Sequence, residues 1–356
     1  MSFSRRSKLK PSKILAIKFR ALGDTVLWTS ALNGLKSMYP DAQIDVLALE
    51  GSRELLENHP SVNRFFGLKK RDGLPMVRKL WELRKEKYDL VLAFHANTSL
   101  CRWLFLAGGK EKIAHHHSWK KTPACSDRKL GRPGVLLDAI ARDYEILRAL
   151  GWTGKALPTS LKVEDADALR MEARLKSLGL PGTQRRLALL PGASEELKRY
   201  PLELWEKVVN DLRKEGRFEI AMICDAELSQ RWNLKAWSER MRIPLIDDLK
   251  LKNLTAMLSR FQLSVSNDSG PGHIAVALGL RSVHIFGRGC LGDFHPYDLN
   301  LHQYLRVVVD CRASGPKDLE KFRFCTVKEC SHLSCLRKIA PEDVVRATLA
   351  VDSARV

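Results

Sequence analysis

The stretch KILAIKFRALGDTVLWTSALNGLKSM, residues 13–38, changes its hydrophobic period once, and that change decides the fold. Ile14, Leu15, Ala16 and Ile17 form a short unbroken apolar run, as expected of a strand covered on both faces. Val26, Leu27, Ala31, Leu32, Leu35 and Met38 then recur at helical spacing. Between the two lies Ala21-Leu22-Gly23-Asp24, where Gly23 supplies a flexible turn and Asp24 is expected as the helix N-cap. A buried strand that runs through a tight turn into an amphipathic helix is the building unit of open α/β sheets. Such sheets bind ligands at the carboxyl ends of their strands, where helix amides face anions. Asp24 therefore has two readings: a cap that ties off backbone N–H groups, or an exposed base or ligand contact in a crevice.

The same rhythm continues along the chain. Strands are expected at Gln43–Leu49, Val62–Phe66, Leu90–Phe94 and Lys112–Ala114, with helices at Ser52–Glu57, Met76–Glu86, Ser99–Ala107 and 134–150. Polar residues His95 to Ser99 follow a fully apolar strand, so Asn97 reads equally as a helix cap or a ligand contact. His115, His116 and His117, with Trp119 close behind, cannot all face one ion in an ordinary strand or turn. They read as an exposed loop that contacts substrate rather than as a metal site.

The architecture restarts after residue 160. A helix over 164–178 leads to a strand at 187–190 and a Pro191-Gly192-Ala193-Ser194 turn. Helices at 203–215, 227–240, 253–260 and 272–279 then alternate with strands at 218–224, 243–246, 262–265 and 281–286. The expected domains are residues 1–160 and 161–340, with a terminal helix over 341–356 reaching back toward the first.

Charge is distributed unevenly between these halves. Residues 1–160 carry 29 Lys and Arg against 15 Asp and Glu, and the rest of the net +19 is spread thinly over the second half. Lys69, Lys70, Arg71, Arg78, Lys79, Arg84, Lys85 and Lys87 form one basic region, and Lys110, Lys112, Lys120, Lys121, Arg128, Lys129 and Arg132 a second. Such a surface attracts a phosphorylated substrate, an anionic membrane face or nucleic acid. No nucleic-acid recognition module is evident, which sets that class of partner aside. Met1 to Lys13 has no apolar core of a signal peptide and no apolar run spans a membrane, so a cytoplasmic protein is expected. Cys311, Cys325, Cys330 and Cys335 gather near the end around His332, yet their spacing misses the close pairs of strong zinc motifs, and free thiols are expected.

A second motif weighs on Asp24. After the strand ending near Ser266, Asn267-Asp268-Ser269-Gly270-Pro271-Gly272-His273 turns into a helix, and its glycines leave an anion room to approach the first amides. Asp268 suits donor hydroxyls, Ser269 suits phosphate, and the helix dipole favours a neutral His273. Neither turn has the spacing of a nicotinamide site or a P-loop. Lys198 and Arg199 follow the Pro191 turn, where positive charge suits a departing diphosphate.

Together these segments resemble the lipopolysaccharide heptosyltransferase family of glycosyltransferases, over about Ile14 to Val344. The anchors are Arg20-Ala21-Leu22-Gly23-Asp24 and Asn267 to His273, supported by Pro191-Gly192-Ala193 with Lys198-Arg199 and by the tail ending at Cys335-Leu336. The resemblance implies a GT-B fold, two Rossmann-like parallel-sheet domains facing across a cleft, with acceptor on the first and nucleotide sugar on the second. It implies inverting transfer of heptose from ADP-heptose to an anionic lipopolysaccharide inner-core glycolipid, at the inner face of the cytoplasmic membrane and in peripheral contact with it. Carried onto this sequence, Asp24 and Lys198 are the expected catalytic pair. Lys198, Arg199, Asp268, Ser269, Gly270, Gly272 and His273 are expected on the donor, and Arg20, Gly23, Asn97 and His115 on the acceptor. No metal, cofactor or nucleic acid is expected. The sequence departs from the family pattern at Asp225-Ala226-Glu227, Lys250-Leu251-Lys252, Gly272 and Arg288-Gly289-Cys290. Two alternatives stay open: another nucleotide-activated sugar as donor, and a nucleotide-regulated binding protein without catalysis.

Overall fold

The computed structural model describes residues 10–115, 123–130, 135–311 and 322–354. His116, His117, Trp119, Lys120, Lys121 and Arg132 lie outside the described residues. The chain forms two compact units, Met1–Pro158 and Thr159–Val356.

The first unit alternates β1 (Lys13–Lys18), α1 (Leu22–Met38), β2 (Gln43–Leu49), α2 (Arg53–Leu56), β3 (Arg64–Leu68), α3 (Leu74–Leu83), β4 (Leu90–Ala93), α4 (Thr98–Trp103), β5 (Glu111–Ala114) and α5 (Ala139–Leu150). Its described strands form a parallel sheet in the order β3-β2-β1-β4-β5. The chain builds outward on one side of β1 and then returns to its other side at β4. The switch point thus lies between β1 and β4, and the turns that follow these two strands flank it. All four residues of β4 and five of the six in β1 are buried, as strands covered on both faces require.

Helix α1 crosses α5 at Gly34. A Cβ there would lie 2.5 Å from Leu147 Cδ2 and 2.9 Å from the Tyr144 hydroxyl. That hydroxyl accepts from the Leu157 amide and donates to the Ser30 carbonyl, so it has little freedom to move aside.

The second unit runs α6 (Asp165–Ser177), β6 (Arg185–Leu190), α7 (Leu202–Lys214), β7 (Phe218–Ile223), α8 (Ala226–Arg231), α9 (Leu234–Met241), β8 (Leu245–Ile246), α10 (Leu251–Leu258), β9 (Leu263–Asn267), α11 (Gly270–Ala277), β10 (Arg281–Ile285), α12 (Leu291–Phe294), β11 (His302–Leu305), α13 (Ser334–Arg337) and α14 (Pro341–Ser353). The sheet order is β11-β10-β9-β6-β7-β8, again parallel, with its switch point between β6 and β9. One helix expected over 227–240 is two, because Asn233 takes a left-handed conformation between α8 and α9. Edge strand β11 and short helices α12 and α13 are additional to the expected elements. The terminal helix, expected to reach toward the first domain, has its buried face in the second unit's core: Val344, Val345, Ala347 and Val351 of α14 join Leu187, Leu189, Val283 and Ile285. Asp352 near its end pairs with Arg185 at 2.7 Å.

No disulfide forms among the eight cysteines. Cys311, Cys325, Cys330, Cys335 and His332 instead border a cavity of about 170 Å³ beside Arg288. Among the described residues no helix is long and apolar enough to cross a membrane.

The α1–α5 crossing is directly testable. Gly34→Ala is expected to destabilise the protein by about 1–3 kcal/mol, as overpacking of a filled contact does. Gly51→Ala, with open space around its Cβ, serves as the control. Equal thermal midpoints for the two variants would contradict the packing described.

Candidate active site

In the first unit the chain leaves β1 through Phe19 and Arg20 and enters α1 at Ala21, which occupies the N-cap position with an extended backbone. Asp24 was expected there. It stands three residues later, in the first turn, because the helix begins before Gly23 rather than after it. Gly23 is accordingly a helical residue without positive φ, not the flexible turn expected. No side chain caps α1. The Asp24 carboxylate is 5% exposed, and its Oδ1 has no hydrogen-bond partner; Oδ2 lies 3.7 Å from Arg20 Nε. A buried carboxylate oxygen left without a donor is costly, so the position is not explained by capping. The helix N-terminus does favour the anion itself.

Beneath it lies a buried charged pair. Lys18 Nζ, at the end of β1, donates to Asp143 Oδ2 of α5 at 2.5 Å, with both side chains 1% exposed. Burial pushes the Asp143 carboxyl up, against the pull of Lys18 and Arg142, and the Asp24 charge adds to the rise. Neither Lys18 nor Asp143 was among the expected site residues. The signal was a lysine closing an apolar strand.

The other expected acceptor contacts have structural duties. Asn97 is the N-cap of α4, its Oδ1 accepting from the Leu100 amide at 2.7 Å. His115 is buried rather than in an exposed loop: its amide donates to the Ala93 carbonyl and its carbonyl accepts from Ala96, which extends β5 past the end of β4.

In the second unit the turns after β6 and β9 meet at the switch point. Asn267, wholly buried at the end of β9, donates from Nδ2 to the Pro191 carbonyl at 2.6 Å and accepts the Tyr200 amide on Oδ1 at 3.0 Å. This one carboxamide holds both ends of the loop that carries Lys198. Arg199, expected on the donor, braces the same loop from inside, donating through Nε and Nη2 to the Ala193 carbonyl. Lys198 Nζ donates to Asp268 Oδ2 at 2.8 Å.

Ser269 precedes α11 and its Oγ, though buried, has no hydrogen-bond partner; Gly270 and Pro271 open the helix. Gly272 was expected to clear a path for an anion. Its actual neighbours are inward: a Cβ would lie 2.4 Å from Ser266 Oγ and 3.2 Å from His284 Cε1, so the glycine lets α11 press on the sheet. His273 Nδ1 lies 2.6 Å from the Tyr297 hydroxyl. The contact ties the His273 ring to Tyr297, with the direction of the hydrogen bond set by the histidine tautomer.

The segment from Gly287 to Tyr297, after β10, reaches each of these groups and was not singled out by sequence except for its unusual Arg288-Gly289-Cys290. Gly289 faces Asp268, where a Cβ would meet Oδ2 at 2.1 Å. Phe294 puts its ring 5.9 Å from Lys198 Nζ, and Arg288 pairs with Glu195 at 2.9 Å. Position in the sheet is the signal that finds this segment: β10 lies next to β9, so the loops at their carboxyl ends are neighbours.

Behind the site, His284 is bonded on both ring nitrogens, to Ser266 and Ser282, and Ser282 also meets His302 at 2.9 Å. Burial pushes His284 well below its usual range, and pushes His295 and His302 down to about 4. A histidine lowered on folding takes up its proton more readily in the unfolded chain. Its stabilising contribution is complete above pH ~6.5 and is lost as pH falls toward 4. The thermal midpoint of the second unit is therefore expected to fall by on the order of 5 °C between pH 7 and 5. A flat profile over that range would contradict neutral histidines in this core.

Comparison with known proteins follows the same lines. Residues 77–313 match glycosyltransferase family 9 (heptosyltransferase). Lipopolysaccharide heptosyltransferase 3 of Escherichia coli is 23% identical over 298 residues, 79% of this chain and 85% of that protein. Lipopolysaccharide heptosyltransferase 1 of Campylobacter coli is 22% identical, over 92% of this chain and 98% of its own. Among solved structures, a glycosyl transferase family 9 protein from Veillonella parvula superposes with a TM-score of 0.76 at 20% identity, covering 98% of this chain and 100% of that one. The E. coli ADP-heptose lps heptosyltransferase II does so with a TM-score of 0.71 at 20% identity, over 95% and 98%. The two parallel-sheet units are those of the GT-B fold, and the chain belongs to glycosyltransferase family 9, the heptosyltransferase family.

Proposed function

We propose that this protein is an inverting glycosyltransferase that moves a heptose from ADP-heptose to an anionic inner-core glycolipid of lipopolysaccharide. The observation that carries the reading is Asp24, a buried carboxylate at a switch point whose Oδ1 accepts no hydrogen bond and which caps no helix. An attacking hydroxyl needs such an oxygen. The names of the relatives, which include ADP-heptose and lipopolysaccharide, support the choice of donor and acceptor.

In the proposed reaction the acceptor hydroxyl attacks the anomeric carbon from the side opposite the diphosphate. Its proton passes to Asp24 as the new C–O bond forms. The bond from the anomeric carbon to the diphosphate oxygen breaks, and the electron pair leaves with ADP. Lys198 neutralises the charge that develops on that leaving group, assisted by Ser269 Oγ, the amides opening α11 and the His273 ring at its first turn. Asp268 keeps the Lys198 ammonium in place and is itself free on one oxygen for a sugar or ribose hydroxyl. The acceptor roles of Arg20, Gly23, Asn97 and His115 belong to the same proposal. For Gly23, Asn97 and His115 the contribution is to shape the crevice through backbone and caps.

A different activated sugar is the second reading, favoured by the atypical Arg288-Gly289-Cys290 beside Asp268. Asp225, another departure, is accounted for as the N-cap of α8, accepting from Leu228 at 2.8 Å. Retention of both Asp24 and Lys198 argues against a binding protein without catalysis.

Asp24→Asn is expected to lower kcat by about 10²- to 10⁴-fold while ADP binds within about twofold of the parent. Lys198→Ala is expected to weaken ADP binding and slow transfer together. Parent-like turnover in Asp24→Asn would remove the base, and unchanged ADP affinity in Lys198→Ala would remove the clamp.

A further inference from the structure

Outside the site, the first unit exposes large apolar side chains within its most basic region. Helix α3 buries Met76, Leu80 and Leu83 against the core, with Leu68, Tyr88 and Leu104. Helical spacing puts Leu74, Arg78 and Trp81 on the opposite stripe, and Lys85 continues it into the following turn. Leu74 is 82% exposed and Trp81 61% exposed, so among the described residues nothing covers this face.

The patch extends onto the neighbouring segment. Phe105, 55% exposed, lies on the turn Leu104–Ala107, and Arg84 links the two: its guanidinium lies 5.8 Å from the Trp81 ring and donates to the Phe105 carbonyl at 3.4 Å. Lys69, Lys70 and Arg71 lie on the segment that leads into α3, and Arg78, Arg84 and Lys85 on α3 or the turn after it, all exposed. Their acidic neighbours are partly engaged. Glu82 pairs with Lys79 at 2.7 Å and Arg78 at 3.2 Å, and Glu86 with Arg64 at 2.8 Å.

We infer that this face, Leu74 and Trp81 of α3 with Phe105 and the basic residues around them, is a docking surface for an anionic lipid bilayer. Each part of the patch answers a part of that solvent. An indole sits well at the boundary of headgroups and acyl chains, and Leu and Phe side chains enter the outer hydrocarbon. Arginine and lysine stems lie along apolar surface while their charges stay at headgroup level, where anionic phosphates attract them. A binding surface for nucleic acid would share the charge but would not need Leu74 exposed, and a solvated basic face would need none of the three apolar side chains. The inference extends the proposed function, because a glycolipid acceptor is held in such a bilayer, but membrane binding is measured without any sugar transfer.

The test is co-sedimentation of the full-length protein with vesicles of phosphatidylglycerol and phosphatidylcholine, against phosphatidylcholine alone, at 0.1 M salt. The parent protein is expected to bind the anionic vesicles and not the neutral ones. Leu74→Ser with Trp81→Ser, and separately Lys69→Glu with Lys70→Glu, are each expected to weaken binding about tenfold or more. Both pairs are at the surface, and unchanged thermal midpoints would establish that each variant is folded. Turnover of a delipidated, soluble acceptor is expected to be the same in the apolar variant as in the parent, so that failure of the membrane inference is read apart from failure of the enzyme reading. Absence of binding to anionic vesicles would overturn the inference. So would binding that survives loss of Leu74 and Trp81, since charge alone would then account for it.

Discussion

The second unit depends on the buried carboxamide of Asn267. At the end of β9 it takes up the Pro191 carbonyl and the Tyr200 amide, two backbone groups that the chain leaves unpaired as it exits β6 and before it enters α7. Without it those groups would be buried and unsatisfied, each at a cost of about 1–3 kcal/mol. Its consequence is positional. The loop between them carries Lys198, and the residue after Asn267 is Asp268, so one side chain registers the ammonium against the carboxylate that holds it. The segment after β10 then closes over this pair because Gly289 has no Cβ to collide with Asp268.

The first unit solves a different problem with similar parts. Its switch point carries the Asp24 carboxylate, with Arg20 3.7 Å away, and the charge beneath it is supplied by Lys18 and Asp143, a buried pair joining β1 to α5. A buried ion pair is a weak source of net stability, since desolvation offsets most of its attraction. Its value here lies in geometry: it fixes the end of β1, and through Phe19 and Arg20 the start of α1, where Asp24 stands. In both units, then, parallel strand order creates the crevice, and a polar contact that the sheet itself does not need positions the candidate group, Asp24 or Lys198, beside it.

Much of this was legible in the sequence because it is local. The change of period across Lys13–Met38 locates both ends of β1 to within a residue and the end of α1 at Met38, and Gln43–Leu49 coincides with β2. The features that escaped depend on distant partners. The start of α1 moved three residues because Ala21, not Asp24, has the extended backbone of a cap, and only the three-dimensional path of Phe19 and Arg20 sets that. Gly272 reads as an anion-clearing glycine until His284 and Ser266 are seen behind it. Tyr297 and Phe294 carry no motif at all; they matter because β10 neighbours β9, a fact of strand order rather than spacing. Arg199, which reads as a second cation for a diphosphate, spends two of its donors on a carbonyl of its own loop.

The proposal is that two switch-point crevices serve transfer of a sugar from a nucleotide to a glycan. Its most direct test is to incubate the purified protein with a panel of sugar nucleotides, ADP-heptose among them, and truncated inner-core glycolipids, with product mass as the readout. The expected result is an acceptor heavier by one heptosyl residue, formed with ADP-heptose and accompanied by an equal amount of ADP. An unaltered acceptor with every nucleotide sugar, from protein that is folded, would contradict it.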